Sequence, residues 1–481
     1  MASARFNLIL FLFGTQGTLD RGRYLAWGVG LMLLKYAVEA AVIGVATGEV
    51  YTPLDFFNPT LSGRMRFSRL ENEWLGLALT LWTIPFVWIA VAMSIRRCRD
   101  AGVSPWEVQW IFVPIANFIE MIRLAVLSSE PAILAEDSQE PAELPAPLPS
   151  GQREPPSGAV RAALSGIAAG VLYALFLIVS SVYLFDNYGS ALFFGTPFVS
   201  GAVGAFLFNR PRPRSLLATL GNTSLMVLFC CLALLLLALE GMICVLMALP
   251  IMVPVAWLGG LVGWTIARET RRPQRDRQGL LCSLAVLPLL AGIEGAVAPN
   301  PVFTVESAIE IAAPPERVWE TVIGFPPITR EPAWFFRLGI ACPERARIEG
   351  TGIGAIRHCE FTTGAFVEPI TGWDPPRRLA FDVTEQPEPM FELTPYRHIH
   401  PPHLKSSFRS TRGEFRLEPL PADGERGPGT RLIGRTWYTL DMRPLPYWTV
   451  WSDVLIHAIH RRVLEHIREV AEERTVAAKT L

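Results

Sequence analysis

Histidine is absent from the first three hundred residues of this chain, and all seven of its histidines lie in the C-terminal third. A side chain that titrates near pH 6.5 is costly in hydrocarbon, so this absence indicates that the preceding part of the chain lies in a membrane. Lysine is nearly absent as well: Lys35, Lys405 and Lys479 are the only lysines among 43 basic residues. Such a strong preference for arginine is typical of a GC-rich bacterial genome.

Two further absences exclude classes of function. The net charge is −1, with no excess of basic residues, which argues against nucleic acid as a partner because a phosphate-binding protein shows a basic face. The seven cysteines show no paired CxxC spacing, and most of them lie in apolar runs. We therefore interpret them as small hydrophobic residues and assign no cofactor and no metal site.

Long hydrophobic runs dominate the N-terminal two-thirds, in a chain that is 51% hydrophobic. Their lengths approach the roughly 20 residues that a helix needs to cross a bilayer. We predict about eight spans, at residues 24–46, 75–95, 107–127, 161–184, 189–208, 216–239, 242–266 and 279–297. The third of these contains Pro114, which predicts a kinked span or a re-entrant hairpin.

Composition divides the chain into four parts. Residues 128–158 are rich in Pro, Ser, Glu and Ala and predict a disordered linker. The linker separates a membrane module at residues 1–127 from a five-span membrane region at residues 159–298. From residue 299 to 475, charges return and no run approaches membrane length, which predicts a water-soluble domain.

The soluble domain has the pattern of an α+β fold. VFTVESAIEI alternates as a strand, and PPERVWETVIGF follows with proline at a helix start. Six more strand-like runs precede PYWTVWSDVLIHAIHRRVLEHIREVAEE, in which Trp451, Leu455, Ile459 and Val463 recur at helical spacing. The predicted order is strand, helix, several antiparallel strands and one long helix.

This order, together with PPERVW and the WDPPRRLAF turn into a strand, resembles the START-like or SRPBCC (polyketide cyclase/dehydrase-like) superfamily. The resemblance implies a helix-grip fold, in which a curved antiparallel sheet wraps a C-terminal helix around an apolar cavity. The resemblance also implies that this cavity binds a hydrophobic ligand.

The N-terminal module resembles a second family, the YhaH-type inner-membrane proteins of unknown function. One shared motif contains Gly17, Arg21 and Tyr24, and the other is an inter-helix turn with Arg96, Arg97, Asp100, Gly102 and Trp106. In this chain Arg99 replaces the family's histidine, which weakens any ligand or proton role at that position.

Three interpretations compete for the histidines of YRHIHPPHLKSSFRS, which are His398, His400 and His403. The first is a ligand-binding role at the mouth of an apolar cavity. The second is catalysis, with Asp453, His457 and His400 as weak candidates for a general base and its partners. The third is a metal site in which the loop histidines converge with His457 and His460.

We expect non-enzymatic binding of a lipid or other hydrophobic small molecule by the C-terminal domain. The residues that we assign to ligand binding are Glu392, His400, His403, Arg412, Trp437, Trp451 and His457. A cyclase, dehydratase or hydrolase acting on a hydrophobic substrate is the alternative, and a membrane sensing or assembly module is a third.

Arginine clusters predict the orientation. They fall at residues 210–214 and 268–277, separated by two spans, and the positive-inside rule makes that side cytoplasmic. One further span would then carry the C-terminal domain to the extracytoplasmic face. The sequence thus predicts a multi-pass protein of the bacterial inner membrane.

Overall fold

The computed structural model describes residues 7–57, 73–112, 116–130, 156–185, 187–269, 301–393, 401–421 and 429–479. The chain forms two compact units. The first consists of Met1–Leu177, Gly195–Leu228 and Val253–Leu289, and the second of Ile178–Phe194, Phe229–Met252 and Leu290–Leu481. The second unit therefore includes segments at the ends of apolar helices as well as the C-terminal part of the chain.

Helices make up the N-terminal part. They are α1 (Leu8–Phe13), α2 (Arg21–Thr47), α3 (Pro53–Phe57), α4 (Glu73–Asp100), α5 (Ala116–Val126), α6 (Pro156–Val179), α7 (Thr196–Asn209), α8 (Leu216–Leu236) and α9 (Met242–Glu269). A 3-10 helix covers Pro105–Phe112, and π-helical turns cover Ser180–Leu184 and Ala191–Gly195.

Six helices in the described part of the chain are long and apolar enough to cross a membrane, against about eight predicted. They are Arg21–Thr47, Leu81–Asp100, Ser157–Leu184, Ala191–Asn209, Leu216–Leu236 and Met242–Arg268. The segment at 107–127, predicted as a kinked span or a re-entrant hairpin, consists in the described residues of a 3-10 helix followed by α5 and is not counted among the six. The predicted span at 279–297 and residues 131–155 of the predicted linker lie outside the described residues.

Within the first unit, small residues let α7 and α9 approach closely. A Cβ atom added to Gly259 would lie 1.9 Å from the carbonyl oxygen of Phe198, and one added to Gly263 would lie 2.1 Å from that of Ala202. Both glycines lie on the same face of α9, four residues apart, in the small-xxx-small pattern of membrane helix pairs. Neither position accepts a larger residue unless the backbone moves.

Two pairs of charged residues are buried or largely buried in the first unit. Lys35 and Glu39 lie one turn apart on α2, are almost fully buried and form an ion pair, as their spacing predicts. Arg97, at the end of α4, is fully buried, pairs with Asp100 and donates a hydrogen bond to the carbonyl oxygen of Leu124 (2.8 Å). The predicted inter-helix turn thus fastens α4 to α5.

The C-terminal part of the second unit is a curled antiparallel sheet with a long helix. The elements are β1 (Val302–Ile311), α10 (Pro315–Ile323), β2 (Pro343–Glu349), β3 (Ile356–Phe361), β4 (Gly364–Asp374), β5 (Arg378–Asp382), α11 (Pro402–Ser406), β6 (Phe408–Leu420), β7 (Gly429–Leu440) and α12 (Leu445–Lys479). The seven strands follow the order β1-β7-β6-β5-β4-β3-β2. The predicted order of elements is confirmed for the described residues, including the long final helix.

The core of this part lies between the sheet and the helices α10 and α12. Val463, Leu464 and Ile467 of α12 are buried against Val318 of α10 and Leu432 of β7. Side chains alternate between the two faces of each strand, so that one face of the sheet packs on α12 and the other faces away from it. We call the face that packs on α12 the concave face.

Candidate functional site

A polar seam crosses the N-terminal half of the contact between α12 and the concave face. Tyr438 donates a hydrogen bond to the Asp453 carboxylate (2.6 Å), one turn before His457 on the same helix. The Ser307 hydroxyl lies 2.8 Å from Nδ1 of His457 and 3.1 Å from Nδ1 of His460. The part of the helix–sheet contact formed by the N-terminal half of α12 is therefore hydrogen-bonded, whereas the part formed by its C-terminal half is apolar.

His460 is half-buried within this seam. Its Nε2 lies 2.8 Å from the Thr436 hydroxyl, so both ring nitrogens have hydroxyl partners. Burial, with the nearby His457, lowers the pKa of His460 to about 4. The imidazole is consequently neutral at physiological pH and acts as a donor and an acceptor in the seam.

A buried arginine lies deeper on the concave face. Arg357 of β3 is 1% exposed and pairs with Glu368 of β4, which is 6% exposed. The rings of Phe325, Phe381 and Phe415 surround the guanidinium, with centroids 5.9, 5.4 and 5.5 Å away. We call these five residues the arginine pocket.

The pairing of Arg357 is incomplete. Nη1 binds Glu368, and the Cys359 side chain also interacts with the guanidinium, whereas no nitrogen or oxygen atom among the described residues accepts a hydrogen bond from the buried Nε and Nη2. A buried donor without an acceptor costs about 1–3 kcal/mol, and more when the group is charged. The arginine pocket is therefore suited to an acceptor group on a molecule that also carries apolar surface.

Two residues assigned to ligand binding lie on the opposite face of the sheet. Arg412 is exposed and its guanidinium stacks 4.0 Å from the ring centroid of Trp437. Trp437 alternates along β7 with Thr436 and Tyr438, which contact α12. A ligand role for Arg412 and Trp437 stays a prediction, and it would require a site outside the concave face.

Glu392 and Trp451 also lie away from the arginine pocket. The Glu392 carboxylate accepts hydrogen bonds from the backbone N–H of Met242 at 3.1 and 3.2 Å, at the start of α9. Trp451 is half-buried on α12 with its ring centroid 6.5 Å from that of Tyr447. For both residues ligand binding stays a prediction.

The predicted histidine cluster is only partly described. His398 and His400 lie outside the described residues, whereas His403 is buried at the start of α11. His403 packs on the ring of Tyr188 at 4.7 Å and contacts Cys244 and Glu240. Burial lowers the pKa of His403 to about 4 and raises the pKa of Glu240 to about 8.

The catalytic alternative requires Asp453, His457 and His400 to converge. In the described part of the chain, Asp453 accepts from Tyr438 and His457 contacts Ser307, so the two side chains take different partners. The catalytic role and the sensing alternative stay predictions. The metal alternative had paired the loop histidines with His457 and His460, but the structure joins His460 to hydroxyl groups of the sheet.

The sequence contained a signal for the arginine pocket. In IRHCEF, Arg357 alternates with Cys359 and Phe361, two apolar residues that are both buried. An arginine on the apolar side of a half-buried strand is unusual, because charged side chains are almost never fully buried unless paired. Glu240 and Cys244 offered no such signal, because nothing near them in sequence indicates contact with His403.

In the comparison with known proteins, a family model matches the N-terminal region of the chain. Residues 12–133 match the family described as Protein of unknown function (DUF805). This match covers the inter-helix turn that contains Arg97 and Asp100. No curated protein matches the chain.

Several solved structures resemble the C-terminal part. Norcoclaurine synthase from Thalictrum flavum, solved with dopamine and hydroxybenzaldehyde, is 12% identical, with 36% of this chain and 88% of that chain covered and a TM-score of 0.24. The Zhui aromatase/cyclase from Streptomyces sp. R1128 is 17% identical, with 37% and 98% covered and a TM-score of 0.23. XoxI from Bacillus cereus is 13% identical, with 34% and 93% covered and a TM-score of 0.22.

Proposed function

We propose that the C-terminal domain, residues 299–475, binds a lipid or other hydrophobic small molecule that carries a hydrogen-bond acceptor, and that it does so without catalysis. The observation that carries this proposal is the arginine pocket. No nitrogen or oxygen atom among the described residues accepts a hydrogen bond from two buried nitrogens of Arg357, and aromatic rings enclose the guanidinium.

The pocket matches an amphiphilic ligand in two respects. The guanidinium offers a planar pair of donors that suits a carboxylate or phosphate oxygen. The rings of Phe325, Phe381 and Phe415 offer apolar surface, and burial of a ligand's hydrocarbon against such surface contributes about 25 cal/mol per Å². Apolar burial would provide affinity and Arg357 would set orientation.

Contacts within the second unit support a position for this domain beside the bilayer. His403 and Glu392 contact the segment from Glu240 to Cys244, immediately after α8. The arginines of residues 210–214 and 268–277 are separated in sequence by two predicted spans, so both clusters would lie on the same side of the membrane. The predicted span at 279–297 would then carry the chain to the other side.

By the positive-inside rule, that side is extracytoplasmic. We therefore propose a multi-pass protein of the bacterial inner membrane with an extracytoplasmic C-terminal domain. Ligands of this kind partition into the adjacent bilayer, so a tethered binding domain would meet them at high local concentration.

The test uses the full-length protein in detergent and a fluorescent fatty acid as the probe. The binding variant is Arg357→Met/Glu368→Met, which removes the charged pair without leaving one partner behind. Arg431→Met is the matched control, because it removes an exposed arginine of β7 that alternation places on the opposite face of the same sheet. Loss of a charge-assisted hydrogen bond costs about 1.5–3 kcal/mol, which is roughly a 10- to 150-fold increase in Kd.

We expect this weakening in the double variant and wild-type affinity in the control. Equal affinity of the double variant and the wild type would overturn the role of the arginine pocket. A wild-type protein that fails to bind the probe and retains no lipid by native mass spectrometry would overturn the proposed function itself.

A further inference from the structure

Three side chains with metal-binding atoms meet at the start of α9. Glu240 lies two residues before the helix, Cys244 lies in its first turn, and His403 reaches them from the start of α11. One ligand atom from each residue lies within 4.8 Å of the other two. His403 Nε2 is 3.3 Å from Cys244 Sγ, and His403 Nδ1 is 3.7 Å from Glu240 Oε2. An imidazole binds an ion through one of these nitrogens, and the other then faces the remaining ligand.

The facing atoms of Glu240 and His403 are both buried polar atoms. Glu240 Oε2 and His403 Nδ1 are both buried and unpartnered among the described residues. Their separation of 3.7 Å exceeds the 2.7–3.2 Å of an N–H···O bond. It is close to the distance between two ligands of a single metal ion, which is about 3.3–3.7 Å for bond lengths of 2.0–2.3 Å in tetrahedral geometry.

A neighbouring tyrosine orients the carboxylate. Tyr188 donates a hydrogen bond to Glu240 Oε1 (3.1 Å), which leaves Oε2 directed at His403. The Tyr188 ring also packs on the His403 imidazole at 4.7 Å between centroids. Hydrogen bonds from outer residues to metal ligands fix the ligands in this way in known metal sites.

We propose that Glu240, Cys244 and His403 bind a divalent cation of the zinc class. A thiolate, an imidazole and a carboxylate suit Zn²⁺ and do not suit Mg²⁺ or Ca²⁺, which take oxygen ligands. Binding displaces the thiol proton of Cys244 and the carboxyl proton of Glu240 to solvent, so that thiolate and carboxylate together carry −2 and balance the ion. Three protein ligands leave a fourth position for water or another group.

The ion would fasten two parts of the second unit to each other. Glu240 and Cys244 belong to the segment Phe229–Met252, and His403 belongs to Leu290–Leu481. A cation that binds only the folded protein stabilises it by RT ln(1 + [cation]/Kd), so the stability rises with the concentration of the cation. The site is separate from the arginine pocket, so it stands or falls independently of lipid binding.

The experiment uses Co²⁺ as a probe on the full-length protein after treatment with a chelator. We expect about one Co²⁺ per chain, with a thiolate-to-cobalt charge-transfer band in the near ultraviolet that Zn²⁺ abolishes by displacement. Cys244→Ser removes the band, and the matched control Cys231→Ser, which changes a buried cysteine of α8, keeps it. No stoichiometric binding, or the same band in Cys244→Ser, would overturn the proposal.

Graded variants test the roles of the other residues. Loss of a residue that only orients a ligand weakens metal binding by about 10- to 100-fold, and we expect Tyr188→Phe to weaken Co²⁺ binding by about this factor. We expect His403→Ala and Glu240→Gln, which remove ligands, to weaken Co²⁺ binding by more. Equal losses in all three variants would contradict the assignment of Tyr188 as an orienting residue.

A measurement on the wild type covers the case in which Cys244→Ser does not fold. One equivalent of Zn²⁺ should protect Cys244 from alkylation by a maleimide, read peptide by peptide in a mass spectrometer, without changing the labelling of Cys231. Unchanged labelling of Cys244 would overturn the site.

Discussion

The buried pair Arg357–Glu368 leads to a prediction about stability. Both side chains lie almost entirely within the core of the C-terminal sheet. Replacing Arg357 by methionine leaves the Glu368 carboxylate buried without a counterion, and breaking a buried pair in this way costs about 3–5 kcal/mol. Replacing both residues by methionine removes the charge altogether, and such apolar replacements are often neutral or stabilising by about 1–4 kcal/mol.

The double variant should therefore recover at least about 3 kcal/mol relative to Arg357→Met alone. Cys359, which is buried beside Arg357 in the same core, provides the readout. Its rate of alkylation as a function of denaturant reports the opening free energy of this core within the full-length protein. Cys98 of the first unit is the internal control, and its labelling should not change.

One result would refute the reasoning. If Arg357→Met destabilises the Cys359 region by less than about 1 kcal/mol, the pair is solvated and the buried-charge argument fails. The double variant would then offer no recovery.

Three further predictions concern other parts of the molecule. Gly263→Ala should lower stability in detergent by about 1–3 kcal/mol through overpacking. Gly221→Ala is the control and should not, because a Cβ atom added there meets no atom within 4 Å. Equal effects of the two variants would contradict the close contact between α7 and α9. Because the folded-state pKa of His460 is about 4 and its unfolded value is 6.5, the unfolded chain binds more protons between these pH values. The free energy of unfolding therefore falls as the pH drops through this window, by up to about 1.4 kcal/mol per pH unit. His460→Gln should flatten the pH dependence of the opening free energy that Cys359 alkylation reports. An unchanged pH dependence in this variant would contradict the prediction. Lys35→Met should lower the melting temperature, and Lys35→Met/Glu39→Gln should restore it; a single variant as stable as the wild type would show that the pair is not buried.

Periodicity in the sequence predicted the elements of the C-terminal part well. Strict alternation in VFTVESAIEI and helical spacing in the last helix correspond to β1 and α12. These patterns exist because each element buries one face. The membrane part was less predictable, since hydrophobicity alone did not distinguish the broken segment at 105–126 from a span.

The candidate sites depended on details that composition does not contain. On β7 a shift of a single residue decides whether Trp437 or Tyr438 reaches α12, and Trp437, the predicted ligand residue, lies on the face away from the helix. His403 was identified, but its partner Cys244 lies 159 residues away in the chain. Contacts over such separations follow from the tertiary fold and leave no local pattern.

The central claim, that the concave face of the C-terminal sheet holds an amphiphilic ligand, is tested most directly by photoaffinity labelling. The full-length protein is irradiated with a fatty acid that carries a photoreactive group on its chain, and the labelled peptides are identified by mass spectrometry. We predict labelling of peptides that contain Phe381 and Phe415, and its loss in Arg357→Met/Glu368→Met. Labelling confined to the membrane helices, unchanged by that variant, would contradict the account.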